Sequence, residues 1–189
     1  MLIKYIENFL TPYECKSIIE LGESINLFEM KSSYVVNGKT IVENVNYGGN
    51  KRMGNYIEKE LLELPIIKTL TNKIIELSNE LNPYKGITYN DISKYSFNKY
   101  SKGDFLDWHP DNHEIINGAT ITYIIQLNDE YEDGEVKYKI NDIEYSIEKK
   151  EGSVFIFDSN LLHSVNKIKD GFRYSMNVWP SKTIRKTLI

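Results

Sequence analysis

Residues 152–179 read GSVFIFDSNLLHSVNKIKDGFRYSMNVW. Three short runs rich in Val, Ile, Phe and Tyr (GSVFIF, HSVNKI and FRYSMNVW) are separated by Gly, Asn and Asp, which predicts strands joined by turns. The same texture extends back to residue 86 through ISKYSFNKY, ATITYIIQL, EVKYKI and IEYSIEK. About seven short strands with turn signals between them predict a sandwich or a barrel. Before residue 86 the pattern is different. LTPYECKSIIELGES predicts a helix with Thr11 as N-cap, Pro12 at N1, Glu14 at N3 and Gly22 as its stop. SYVVNGKTIVENVN (33–46) predicts a hairpin around Asn37-Gly38, and 57–81 returns to a helical pattern broken at Pro65 and closed by Asn82-Pro83. Helices first and strands after give an α+β fold, mainly β, with the helices packed on one sheet. No repeat or linker divides the 189 residues, so one domain is expected: a support region over 1–85 and a β core over 86–182.

Composition narrows the function classes. The net charge is −4 and no long basic run occurs, so no nucleic-acid partner is expected. The single cysteine, Cys15, excludes an internal disulfide and suits a reducing cytosol. MLIKYIENFL reaches the charge of Glu7 too soon for a signal peptide, and no apolar stretch approaches the ~20 residues of a spanning helix. The expectation is a cytoplasmic protein without a membrane partner, its oligomeric state open.

Two of the three histidines lie in DWHPDNHE (107–114). On an extended segment His109 and Asp111 point to the same face. His113 would continue that face, but collinear ligands roughly 6.6 Å apart wrap an ion poorly. The third ligand therefore falls to His163, on a strand that a double-sheet fold can bring alongside. Two histidines and one carboxylate with open positions are the set expected of non-haem Fe(II) oxygenases, whereas structural zinc wants a fourth protein ligand. Ten residues on, the alternation of FRYSMNVW places Arg173, Ser175, Asn177 and Trp179 on one face. A guanidinium in a metal-bearing interior needs an anion, and a carboxylate matches it in a two-point bond. With a chelating keto acid on the metal, that carboxylate is the far end of 2-oxoglutarate.

In order and spacing, these residues resemble the 2-oxoglutarate/Fe(II)-dependent oxygenases, and within them the prolyl 4-hydroxylase-like branch. YIENFLTPYECKSIIELGES is similar to that branch's opening, NKYSKGDFLDWHPD to its tyrosine–glycine–HxD strand, QLNDEYEDGEV to the strand and turn that follow, and 152–179 to its terminal segment. The resemblance implies a double-stranded β-helix (jelly roll) with helices on the major sheet. It implies His109, Asp111 and His163 as catalytic metal ligands, and Arg173 and Ser175 as the grip on the cosubstrate's distal carboxylate. Tyr100, nine before the first ligand, matches a tyrosine that bonds the cosubstrate. Gln126 stands where several relatives carry a second such tyrosine, and Asp133-Gly134 where they carry Gly-Gly. The implied cofactors are Fe(II), 2-oxoglutarate and O2, with ascorbate left open as a helper. The implied reaction hydroxylates a C–H bond of a prolyl residue in a protein or peptide, releasing succinate and CO2.

The sequence admits other readings. A free amino acid or small metabolite could be the substrate, or the jelly roll could bind a ligand without catalysis. NKYSKGDFLDWHPD also fits the pattern of alkylated-base demethylases, but these carry a second arginine where Trp179 stands, and nucleic acid ranks lower. Singly, Tyr100 and Trp179 suit core or pocket wall, Arg52 a surface salt bridge, Asp107 an exposed strand end, and His113 and Glu114 a solvated loop. Loops 31–55 and 112–118 are the expected seat of specificity.

Overall fold

Thr11 starts the first helix, α1 (Pro12–Ser24), by a reciprocal pair: its hydroxyl accepts from the Glu14 N–H, and the Glu14 carboxylate accepts from the Thr11 N–H at 2.7 Å. The buried face is Cys15, Ile18 and Gly22, at helical spacing. Gly22 does not stop the helix, as the sequence suggested. It is a contact point: a Cβ there would lie 2.2 Å from the Phe97 ring of the underlying sheet. In the computed structural model, residues 1–30, 33–36, 39–42, 50–81, 86–92, 94–111 and 118–183 are described. Asn37-Gly38, Asn82-Pro83, His113 and Glu114 lie outside them, as do most of the loops expected to carry specificity.

After a 3-10 turn at Lys59–Glu63, α2 (Pro65–Glu80) starts with proline at its first turn, where the missing N–H costs nothing. It buries Ile67, Leu70, Thr71, Ile74 and Ser78. Its two buried hydroxyls are matched: Thr71 donates to the Ile67 carbonyl and so accepts from the Tyr95 phenol at 2.6 Å, and Ser78 pairs with the Tyr123 phenol at 2.6 Å. Lys73 ties the helices together by bonding the Glu14 carboxylate at 2.7 Å and the Phe9 carbonyl.

Both helices cover one face of a large antiparallel sheet. Among the described residues its strands run in the spatial order 3–6, 154–158, 118–126, 173–178, 95–100, 53–56, 28–29, with 181–183 also paired to 118–126. The edge strand Ile3–Ile6, not predicted, pairs Ile3 with Phe157. A second sheet runs 143–146, 136–140, 163–165, 105–109, 50–51. Its outer hairpin turns through Asn141 and Asp142, both at positive φ, as a tight two-residue turn requires. Strands 33–36 and 39–42 pair as the predicted hairpin.

Alternation along each strand divides the core in two. Tyr95, Phe97, Tyr123, Ile125, Val154, Ile156, Met176 and Val178 face the helices. Tyr100, Leu106, Ile124, Val136, Phe155, Phe157 and Val165 fill the space between the sheets. Each fully buried Ile, Leu or Phe contributes roughly 1.5–3 kcal/mol, so both layers hold the central strands. The inner face is not purely apolar: Asn98, Thr122, Gln126, His163, Arg173 and Ser175 are also buried. Buried polar side chains at core positions need partners, and here they mark the site.

Candidate active site

His109 ends the strand Phe105–His109, and His163 opens His163–Val165; the two are direct cross-strand partners. Past that pair the register slips, so that Val165 faces Leu106, and such an irregularity re-aims side chains. The imidazole centroids are 4.3 Å apart. Each ring uses Nδ1 on a carbonyl two residues back: His109 on Asp107 at 2.7 Å, His163 on Leu161 at 3.0 Å. A carbonyl only accepts, so each Nδ1 carries the proton and each Nε2 presents its lone pair. Asp107 thus contributes its backbone carbonyl to the site.

Asp111 meets both lone pairs. Its Oδ1 is 3.5 Å from His109 Nε2, and its Oδ2 is 3.7 Å from His163 Nε2. One ligand atom from each of the three residues lies within 4.8 Å of the others, a separation that one divalent ion can bridge. Two donors converge on Oδ2, the Thr122 hydroxyl at 3.0 Å and the Trp179 indole N–H at 2.9 Å, which leaves Oδ1 the less occupied oxygen. The Asp111 N–H donates to the Ser159 carbonyl, and Ser159 and Thr122 share a hydroxyl bond at 2.8 Å. Burial alone would raise the Asp111 pKa, but the two imidazoles and Trp179 hold it well below the usual carboxylate range. For His163 burial dominates and brings the pKa down to about 4 despite the pull of Asp111. At neutral pH the cluster therefore holds an anionic carboxylate and a neutral buried imidazole, as a metal requires.

Arg173 lies deeper between the sheets and is 1% exposed. Its Nη1 donates to Ser175 Oγ at 3.0 Å, while Nε and Nη2 are buried with no hydrogen-bond partner among the described residues. Its cross-strand neighbour Tyr100 offers its ring face 5.1 Å from the guanidinium carbon. Two unmatched N–H groups on a buried cation suit a carboxylate, which accepts both. Gln126 lies opposite Ser175 and donates its amide to the Tyr131 hydroxyl at 2.9 Å and to the Asn128 carbonyl.

The structure therefore brings His109, Asp111, His163, Tyr100, Gln126, Arg173 and Ser175 to the interior between the two sheets, and adds others. Trp179, read as core or wall, bonds the candidate ligand Asp111. Arg52, read as a surface residue, reaches inward: its Nε donates to Asn98 Oδ1 at 2.9 Å, and its guanidinium carbon is 6.0 Å from the Tyr100 ring centre. Thr122 and Tyr131 were not singled out from the sequence; the alternation that places Thr122 beside Ile124 and Gln126 could have found the first.

An antiparallel double-sheet roll with a two-histidine, one-carboxylate cluster inside it, and a buried arginine left for an anion, has the architecture of a non-haem oxygenase. Comparison with known proteins agrees. Residues 95–181 match the model of the 2OG-Fe(II) oxygenase superfamily. A PKHD-type hydroxylase of Gluconobacter oxydans (strain 621H) is 29% identical over 98 residues, which cover 47% of this chain and 43% of that protein. The chain thus aligns with less than half of that relative's length. Among solved structures, a Pseudomonas putida prolyl-4-hydroxylase superposes with TM-score 0.69 at 14% identity, covering 95% of this chain and 92% of that one. The viral collagen prolyl hydroxylase of Paramecium Bursaria Chlorella virus-1 gives 0.68 at 18%, covering 95% of each. A prolyl hydroxylase from Trichoplax adhaerens, in complex with a hypoxia inducible factor peptide fragment, gives 0.71 at 19%, covering 95% and 83%. The fold is the prolyl hydroxylase jelly roll, as expected. No helix among the described residues is long and apolar enough to cross a membrane.

Proposed function

We propose that the chain is an Fe(II)- and 2-oxoglutarate-dependent dioxygenase that hydroxylates a C–H bond of a prolyl residue in a protein or peptide. The observation that carries this reading is Arg173, a buried cation with two unmatched N–H groups in the same interior as a three-ligand cluster. His109 and His163 would hold the metal through Nε2, and Asp111 through Oδ1, the oxygen that Thr122 and Trp179 leave free. The Nδ1–H bonds to Asp107 and Leu161 fix both rings in the ligating tautomer, and so supply orientation before the metal arrives. Arg173, braced by Ser175 and stacked on Tyr100, would bind the distal carboxylate of 2-oxoglutarate. Ile124, Phe155 and Phe157 line that interior and keep water from it. When bound, Fe(II) and 2-oxoglutarate supply the oxidising chemistry: O2 and 2-oxoglutarate are consumed, CO2 and succinate leave, and one oxygen atom becomes the product hydroxyl. The choice of a prolyl substrate is supported by the prolyl hydroxylase fold, and that of a peptide by the fold neighbour solved with one.

The test is succinate release from 2-oxoglutarate with and without Fe(II) and ascorbate, and with proline-containing peptides, followed by mass spectrometry for a gain of ~16 Da, one oxygen atom. Wild type is expected to turn over and His109→Ala to be inactive. Wild-type protein that neither turned over nor bound 2-oxoglutarate would rule the reading out.

A further inference from the structure

Gln126 occupies the strand position where several of the resembling enzymes carry a tyrosine, and in this structure its amide donors are spent on Asn128 and Tyr131. The interior offers a replacement. Gln126 Nε2 donates both to the Asn128 carbonyl and to Tyr131 Oη. The Asn128 contact fixes the orientation of the amide, because a flipped amide would set oxygen against oxygen. Tyr131 Oη is therefore an acceptor towards Gln126, and its own proton remains to be donated. Tyr131 is 8% exposed, and no described residue is bonded as acceptor to that proton.

The nearby cation is Arg173. Its guanidinium acts on the Tyr131 phenol by charge and by a side-chain hydrogen bond, both against the burial that raises the phenol's pKa. Yet Arg173 Nε and Nη2 make no hydrogen bond with any described residue. Two guanidinium nitrogens, Nε and Nη2, thus lie buried without an acceptor beside a phenol that accepts from Gln126 and from the guanidinium and keeps its own O–H to donate. A group with two acceptor oxygens and a negative charge would satisfy all three, and a carboxylate is that group. The Tyr131 ring is held firmly. Lys149 sits 4.6 Å from its ring centre while bonding its backbone carbonyl at 2.9 Å. Gly134, at φ +73, leaves room that a Cβ would take at 3.0 Å from the Tyr131 ring.

We infer that Tyr131, oriented by Gln126, is the hydroxyl that binds the distal carboxylate of 2-oxoglutarate beside Arg173, in place of a tyrosine on the strand. This rests on the 2-oxoglutarate reading above and assigns Tyr131 and Gln126 as the positioning pair of its deep end. Removing the hydroxyl while keeping the ring should weaken binding of an acid that carries that carboxylate, and leave unchanged the binding of one that lacks it. The hydrogen bond to a charged partner sets the scale at about tenfold or more.

The experiment measures dissociation constants by calorimetry on the full chain loaded with Mn(II), in which no turnover occurs. The ligands are 2-oxoglutarate and 2-oxopentanoate, which has a methyl where the distal carboxylate would be. Tyr131→Phe is expected to lose about tenfold in 2-oxoglutarate affinity with 2-oxopentanoate and Mn(II) affinities unchanged. Gln126→Leu, which leaves the hydroxyl unanchored, is expected to lose less, and again for 2-oxoglutarate alone. Equal 2-oxoglutarate affinity in wild type and Tyr131→Phe overturns the assignment and leaves the functional reading standing. Equal losses for both acids also overturn it, since they report a general disturbance of the pocket. Wild-type protein that binds Mn(II) but no 2-oxoglutarate overturns the functional reading with it.

Discussion

Replacing Arg173 by methionine should make the ligand-free protein more stable and the ligand-loaded protein relatively less so. The guanidinium is 1% exposed and spends one N–H on Ser175 Oγ, while Nε and Nη2 are unmatched. A buried charge without full pairing costs several kcal/mol after relaxation. Against this, Arg173→Met forfeits the Ser175 bond, about 1.5–3 kcal/mol, and the contact with the Tyr100 ring, about 0.5–2 kcal/mol. Methionine fills much of the same volume at little packing cost. These terms are of similar size, and the expected balance is the low end of the gain seen when buried charges are replaced by packed apolar side chains, about 1–2 kcal/mol, or roughly 2–8 °C in Tm for a chain of this size. With Mn(II) present in both melts, 2-oxoglutarate at a hundredfold excess over Kd should add about 2.7 kcal/mol to wild type and far less to the variant, whose metal ligands are intact. The order of melting temperatures therefore reverses when ligand is added. Thermal melts of both proteins, with and without 2-oxoglutarate, measure it directly. A ligand-free variant that melts several degrees below wild type would show that the guanidinium is already satisfied, and the reasoning from unmatched donors would fail.

Trp179→Phe and Thr122→Val each remove one donor from Asp111 Oδ2, and each should lower divalent-metal affinity by about tenfold or more in a competition titration, with little change in melting temperature. Gly22→Ala puts a methyl 2.2 Å from the Phe97 ring and should cost about 1–3 kcal/mol in urea unfolding; Phe97→Leu in the same chain should restore part of it. Burial pushes the phenols of Tyr95 and Tyr123 up to about 12. The unfolded chain therefore loses these protons first, near pH 10, so the stability they contribute is complete below pH ~10 and is lost as pH rises towards 12. Urea midpoints between pH ~9 and ~11.5 should fall more steeply for wild type than for Tyr123→Phe. The Cys15 thiol is likewise pushed up to about 12 by burial, and should stay unreactive to alkylating reagents at pH ~8 until the chain is unfolded.

The parts of this protein that could be read from its sequence rest on short-range physics. The Thr11–Glu14 cap spans one helical turn, alternation in FRYSMNVW depends only on the pleat, and His109 and Asp111 share a face because they are two residues apart. These are enough to predict strands, a helix start and two metal ligands; the spacing to His163 and Arg173, read by resemblance, adds the rest of the expected set. Register and close approach between distant segments decided what remained. His163 meets His109 because two strands 54 residues apart pair with that offset and then slip by one. Trp179 reaches Asp111, and Arg52 reaches Asn98, across separations of 68 and 46 residues. Gly22 looked like a helix stop because local propensity cannot see Phe97 beneath it. The pairing of Gln126 with Tyr131 spans only five residues, yet its meaning depends on Arg173 arriving from another strand with two unmatched N–H groups. Sequence by itself determined which side chains face inward; tertiary structure decided which of them meet, because a hydrogen bond is made or lost within about an ångström and only the packed sheets set distances that finely.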